Sequence, residues 1–270
     1  MDAIATGIIV SIIALVVSIL AGSFPLWKKI SEQQNLLNWM TGLAAGILLA
    51  SALLIAIPEG FELSSDNNHS NEPLFLGGAI LCGFLFMLIL EGFGFGHDVH
   101  EEHHDHSHDH DHDHIHHVAG SSLVFGLSVH ALTDGLAIGA GISSQSTILT
   151  LTLTMAVIAH KIPAAFSLGV FSLHERGDRK AALKDLVLFS LATPLTIMLS
   201  VLFMGELESH LLALAVLFAA GTFLYVATVD VLPDVHSPDT GKLALIQVII
   251  GAAIMFVILL ALDASGIIAH

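Results

Sequence analysis

The chain has 270 residues, 54% of them hydrophobic and 12% charged, with a mean hydropathy of +0.83. Soluble domains average about 25% charged residues, so this composition excludes an ordinary soluble domain and fits a polytopic membrane protein. The formal charge of −16, from 24 acidic against 8 basic residues, points to cations rather than nucleic acid as partners.

Eight apolar runs are predicted as transmembrane helices, each near the roughly 20 residues needed to cross the hydrocarbon core. They fall at Ala3–Phe24, Trp39–Ile57, Leu74–Phe93, Ser122–Ile142, Thr147–Phe171, Ala181–Met204, Leu211–Val229 and Leu243–Leu262. The first lacks a basic n-region and a cleavage site, so it reads as a retained span. Cys82 is the single cysteine, which excludes an intrachain disulfide. The whole chain, 1–270, reads as one all-α membrane transporter domain.

Threading eight spans places Lys28, Lys29, Arg176, Arg179, Lys180, Lys184 and Lys242 on one face. Basic residues mark the cytoplasmic side, so both termini are expected outside a plasma (inner) membrane. The opposite face carries Asp2, Glu59, Glu62, Asp66, Glu72, Glu206, Glu208 and Asp263 with His69 and His210. A mouth of one sign concentrates cations.

An internal repeat is visible. Ala44-Ala45-Gly46 and Ala219-Ala220-Gly221 are 175 positions apart, and Leu49/Leu224, Pro58/Pro233 and Glu59/Asp234 share that offset. In the threaded topology the two copies run in opposite directions. Spans 1–3 and 6–8 are therefore expected to form an inverted repeat around spans 4–5, an arrangement found in transporters with a midplane site.

The stretch 96–118 is of low complexity, with His97, His100, His103, His104, His106, His108, His110, His112, His114, His116 and His117 alternating with acids. It cannot bury enough apolar surface to fold, and it reads as a disordered cytoplasmic loop. Imidazoles among carboxylates bind divalent metals weakly and multiply, which suits buffering or handing off arriving ions.

Two short stretches put ionisable groups inside apolar spans: His130-Ala131-Leu132-Thr133-Asp134-Gly135 and His160-Lys161-Ile162-Pro163. Intramembrane ionisable groups cost roughly 2.5–3.5 kcal/mol apiece on insertion scales, so they mark function by default. His130 and Asp134 are four apart and share a helix face. His160 on the next span can face them. Two imidazoles and a carboxylate with an open position suit a borderline ion such as Zn²⁺.

Pro163, three residues after His160, is expected to kink the fifth span. Lys161 has two readings: it replaces a second cation electrostatically, or it caps a water-filled cavity. Near the inner end of the seventh span stand Asp230, Asp234 and His236. An exit path for the metal and an ordinary polar helix end account for them equally, and Glu59 is their outer counterpart.

These motifs resemble those of the ZIP (Zrt/Irt-like) metal transporters. The fourth span is similar to that family's His-Asn-x-x-Asp/Glu-Gly, the fifth to His-Glu-x-Pro-His-Glu, and the seventh, from Ala220 through Asp230, Pro233 and Asp234, to its counterpart. The resemblance implies uptake of zinc or a related divalent ion into the cytoplasm, a homodimer, and elevator-like alternating access. It implies a transport site at His130, Asp134 and His160, with Ala164 where two-metal members carry a further ligand. Ala131 and Lys161 occupy second-site positions, and neither suits a metal. A single-metal site follows, in the subgroup with Lys at that position, with water or Glu59 completing the shell.

The leading expectation is thus a carrier, not an enzyme, for zinc or another divalent transition metal. A cation-diffusion-facilitator exporter is the alternative; those proteins resemble six-span chains with a cytoplasmic C-terminal domain. A metalloprotease is disfavoured because Lys161 stands where the Glu of His-Glu-x-x-His would be, and a purely metal-sensing or storage membrane protein is a further alternative ranked below the carrier.

Overall fold

The computed structural model describes residues 2–27, 34–64, 72–94, 120–229 and 241–265. Among them every regular element is helical: α1 (Ala3–Trp27), α2 (Gln34–Ser51), a π-helical turn (Ala52–Ala56), α3 (Ile57–Ser64) and α4 (Glu72–Gly92). After the segment 95–119 come α5 (Gly120–Ser143), α6 (Thr147–Arg176), α7 (Arg179–Met204), α8 (Ser209–Val229) and α9 (Gly241–Ala264). With α2, the π turn and α3 running as one, eight helices are long and apolar enough to cross a membrane. The expected all-α, eight-span class is the observed one. The histidine-rich stretch 96–118 lies outside the described residues.

The second span is longer than predicted. Its apolar run stops at Pro58, yet helix continues to Ser64. A proline lacks the N–H that an α-helix needs and crowds the carbonyl one turn back. Here the π turn comes just before it, the Ile57 N–H reaching Ala52 O five residues back, and the wider turn carries the chain past the proline. The fifth span also outruns its apolar stretch. Ser146 caps its start by accepting from the Leu149 N–H, and Gly177 ends it in the left-handed region at φ 61°, the usual role of glycine at C′. Asp178 then caps α7, so two residues join the helices. Asp185 clamps the hairpin, accepting from Ser172 Oγ at 2.6 Å and Arg176 Nε at 2.9 Å.

The helices pack in two groups. In one, α5 lies on α7 and α1 on both α6 and α7; in the other, α2 lies on α9 and α4 on α8. Contacts of α2 with α6 and of α5 with α8 join the groups. This pattern is unchanged when spans 1, 2, 3 and 4 are exchanged for spans 6, 7, 8 and 5, as an inverted repeat demands.

The repeated Ala-Ala-Gly has a structural use. A Cβ on Gly46 would stand 2.1 Å from Val248 O, and one on Gly251 2.3 Å from Leu43 O. A Cβ on Gly221 would stand 2.0 Å from Ile80 O, and one on Gly83 1.9 Å from Phe218 O. Each copy thus drives one glycine-to-backbone crossing, α2 on α9 and α8 on α4, the close approach that small residues permit in membranes.

The outer helices α1, α4 and α9 present wide apolar faces, including Leu20, Leu74, Phe75, Ile249 and Val257. Soluble proteins rarely expose apolar patches of this extent, and a bilayer accommodates them. The core lies at the junction of the groups, where Ile138, Val157, Ile197, Phe223 and Tyr225 are buried together. The Tyr225 hydroxyl donates to Glu91 of α4.

Candidate metal centre

His130 and Asp134 stand one turn apart on α5, and His160 faces them from α6. All three are almost fully buried, 3%, 1% and 1% exposed. Asp134 Oδ1 lies 3.6 Å from His130 Nε2 and 3.3 Å from His160 Nε2. Their ligand atoms all fall within 4.8 Å of one another, and they are the one such group of three or more among the described residues.

The hydrogen bonding shows what this cluster lacks. His160 Nδ1 lies 2.9 Å from Ala156 O, and a carbonyl only accepts, so Nδ1 carries the hydrogen. In the neutral ring, His160 Nε2 then directs a lone pair at the carboxylate oxygen. Asp134 Oδ1, His160 Nε2 and both ring nitrogens of His130 have no hydrogen-bond partner. His160 Nε2 and Asp134 Oδ1 are then two buried acceptors facing each other with nothing between them, which is costly, and a cation removes the conflict. Ligands held at 2.0–2.1 Å around tetrahedral zinc stand about 3.3–3.4 Å apart, close to the two separations here.

The second carboxylate oxygen has a different neighbour. Lys161 Nζ, also buried, lies 3.4 Å from Asp134 Oδ2 and donates at 2.6 Å to Thr193 Oγ1 of α7. Thr193 donates in turn to Ala131 O at 2.7 Å. The ammonium sits 4.5 Å over the Phe189 ring, a cation–π contact. From the other helix group, Phe223 of α8 sets its ring edge-on to both imidazoles, at 5.6 and 5.5 Å between centroids.

Sequence reasoning thus named all three converging residues and Lys161, and it missed Thr193, Phe189 and Phe223. Thr193 precedes Pro194 in α7, and prolines are common in membrane helices; an apolar Phe in an apolar helix gives no signal at all. Glu59 stands in α3, beyond the π turn, and is not part of the converging group. Ala164 packs with an apolar cluster containing Ala131, Ala165 and Leu168. Asp230, Asp234, His236 and the loop histidines lie outside the described residues. Pro163 and Pro194 stand inside helices that run on past them.

A family model for the ZIP zinc transporters matches residues 4–97 and 94–259, reaching into every helix from α1 to α9. The chain belongs to the ZIP zinc transporter family. ZIP membership makes it a transporter and not an enzyme, and it displaces the exporter alternative. "Zinc transporter ZIP9-A" of Xenopus laevis is 32% identical over 275 residues, covering 86% of this chain and 88% of its own. "Zinc transporter ZIP9" of Micropogonias undulatus is 33% identical over 269 residues, 84% of each chain. "Zinc transporter ZIP2" of Homo sapiens matches a shorter part, 35% over 123 residues, 43% of this chain and 38% of its own. The ZIP match at 94–259 contains the whole converging group.

Proposed function

We propose that this ZIP protein carries zinc into the cytoplasm through a single intramembrane site made by His130, Asp134 and His160. One observation carries the reading: a carboxylate oxygen and imidazole nitrogens, all buried and without hydrogen-bond partners, converge at zinc-ligand separations. The chemistry is ligand exchange, in which these groups replace part of the ion's hydration shell. Lys161 replaces the second cation of a two-metal site. Water completes the shell, or Glu59 from the outer side, and Fe²⁺, Mn²⁺, Co²⁺ or Cd²⁺ suit the same donors.

The basic residues support termini outside the plasma membrane and an inward direction. An inside-negative potential of about 100 mV favours entry of a doubly charged ion by roughly 4.6 kcal/mol, which drives uptake without nucleotide hydrolysis. All three ligands belong to one helix group, and Phe223 of the other covers them; sliding of one group past the other opens the site to each side in turn. The histidines of 96–118 buffer arriving ions, Asp230, Asp234 and His236 form the exit path, and the protein works as a homodimer.

Radiolabelled zinc flux into proteoliposomes tests the reading. Wild type shows saturable uptake, and His130→Ala and His160→Ala each reduce it at least about 10-fold, the scale of losing a metal-supporting group. Unchanged flux in both variants would remove the site, and no flux in wild type would remove the carrier.

A further inference from the structure

We propose that Lys161 is a resident counter-ion for the empty carrier, keeping the unloaded site electrically neutral so that it returns without taking a cation back. The proposal rests on the carrier reading and adds a step to it.

The surroundings of Nζ suit a charged ammonium. Thr193 has one hydroxyl hydrogen, committed to Ala131 O at 2.7 Å, so its oxygen accepts from Lys161 at 2.6 Å. Asp134 Oδ2 at 3.4 Å accepts as well, and the Phe189 face 4.5 Å away is electron-rich. Three acceptors match the three N–H bonds of an ammonium. A neutral amine, with two hydrogens and a lone pair, would leave one of them facing that lone pair.

The carboxylate is divided between two duties. Oδ1 faces the imidazoles and Oδ2 faces the ammonium, so a metal ion binds at Oδ1 without displacing Lys161. With neutral imidazoles, the empty site sums to −1 + 1 = 0 and the loaded site to +2. An unpaired carboxylate at this burial would be strongly disfavoured while the site crosses the apolar core. Thr193 and Phe189, both on α7 within the group that holds the ligands, act as positioning residues that keep the ammonium in place through the movement.

Two modes of zinc flux separate the steps. Net uptake into metal-free proteoliposomes requires the empty return; exchange against zinc-loaded vesicles does not. Lys161→Gln should lower net uptake far more than exchange, the ratio of the two falling at least about 10-fold, the low end of what an unpaired intramembrane charge costs. Loss of both modes in parallel, or of neither, would overturn the counter-ion. Either result leaves the carrier standing as long as wild-type flux depends on His130 and His160. Wild-type current under voltage clamp, measured beside radiolabelled zinc, tests the cation-free return independently of whether the variant folds. Two elementary charges per zinc are expected, and a lower ratio, from a cation carried back, would overturn the proposal.

Discussion

His160 shows how one backbone carbonyl can prepare an imidazole for the proposed metal. An imidazole in an apolar helix can carry its hydrogen on either nitrogen, and the choice decides whether Nε2 can bind a metal. The Ala156 carbonyl, one turn back on α6, takes the Nδ1 hydrogen. A single backbone contact thus fixes tautomer and ring direction, the work that outer-shell partners do at metal sites. Asp134 is the shared member, facing two imidazoles with one oxygen and an ammonium with the other. Asp134→Asn preserves its volume and removes its charge. Zinc affinity, measured by calorimetry on detergent-solubilised protein, should fall at least about 100-fold, since outer-shell losses alone cost 10–100-fold. Unchanged affinity would mean that the metal binds through other residues.

The helix crossings behave differently, because at them the constraint is steric. Gly46→Ala places a Cβ against backbone at Val248 O, 2.1 Å away, and neither partner is a flexible side chain that can move aside. Overpacking of this kind costs typically 1–3 kcal/mol, so the thermal midpoint in detergent should drop, and Gly221→Ala should match it at the repeat-related crossing. Gly77→Ala on α4 is the control. Nothing lies within 4 Å of its Cβ, and replacing a helical glycine by alanine is worth up to about 1 kcal/mol, so the midpoint should hold or rise. A drop for Gly77→Ala equal to that for Gly46→Ala would disconnect stability from the crossings. What the sequence discloses follows the same physics. The repeat is legible because a backbone crossing tolerates only small residues, and the spans are legible because lipid tolerates few charges. The end of the second span is not, since a proline predicts a break and only the three-dimensional chain reveals the π turn that absorbs it. The cradle of Lys161 is hidden for another reason: Phe189 and Thr193 lie on another helix, about thirty positions further on, and carry no periodic or compositional mark.

At the scale of the whole molecule, the site joins two helices of one group and is capped from the other, so metal binding must couple to global stability. A ligand that binds only the folded state stabilises it by about 2.7 kcal/mol at 100 times its dissociation constant. Zinc at that level should raise the unfolding midpoint of the wild type. The rise should vanish in His130→Ala and His160→Ala, yet persist in Gly46→Ala from a lower starting point, because that crossing lies in the group that holds none of the proposed ligands. The histidine-rich stretch 96–118 is the proposed competitor: imidazoles that bind zinc in folded and unfolded chains alike would weaken the shift. Deleting 96–118 should therefore leave the zinc-induced rise intact or enlarge it. A rise that survives loss of His130 and His160 but disappears with the loop would assign the stabilising metal to the loop instead of the bundle.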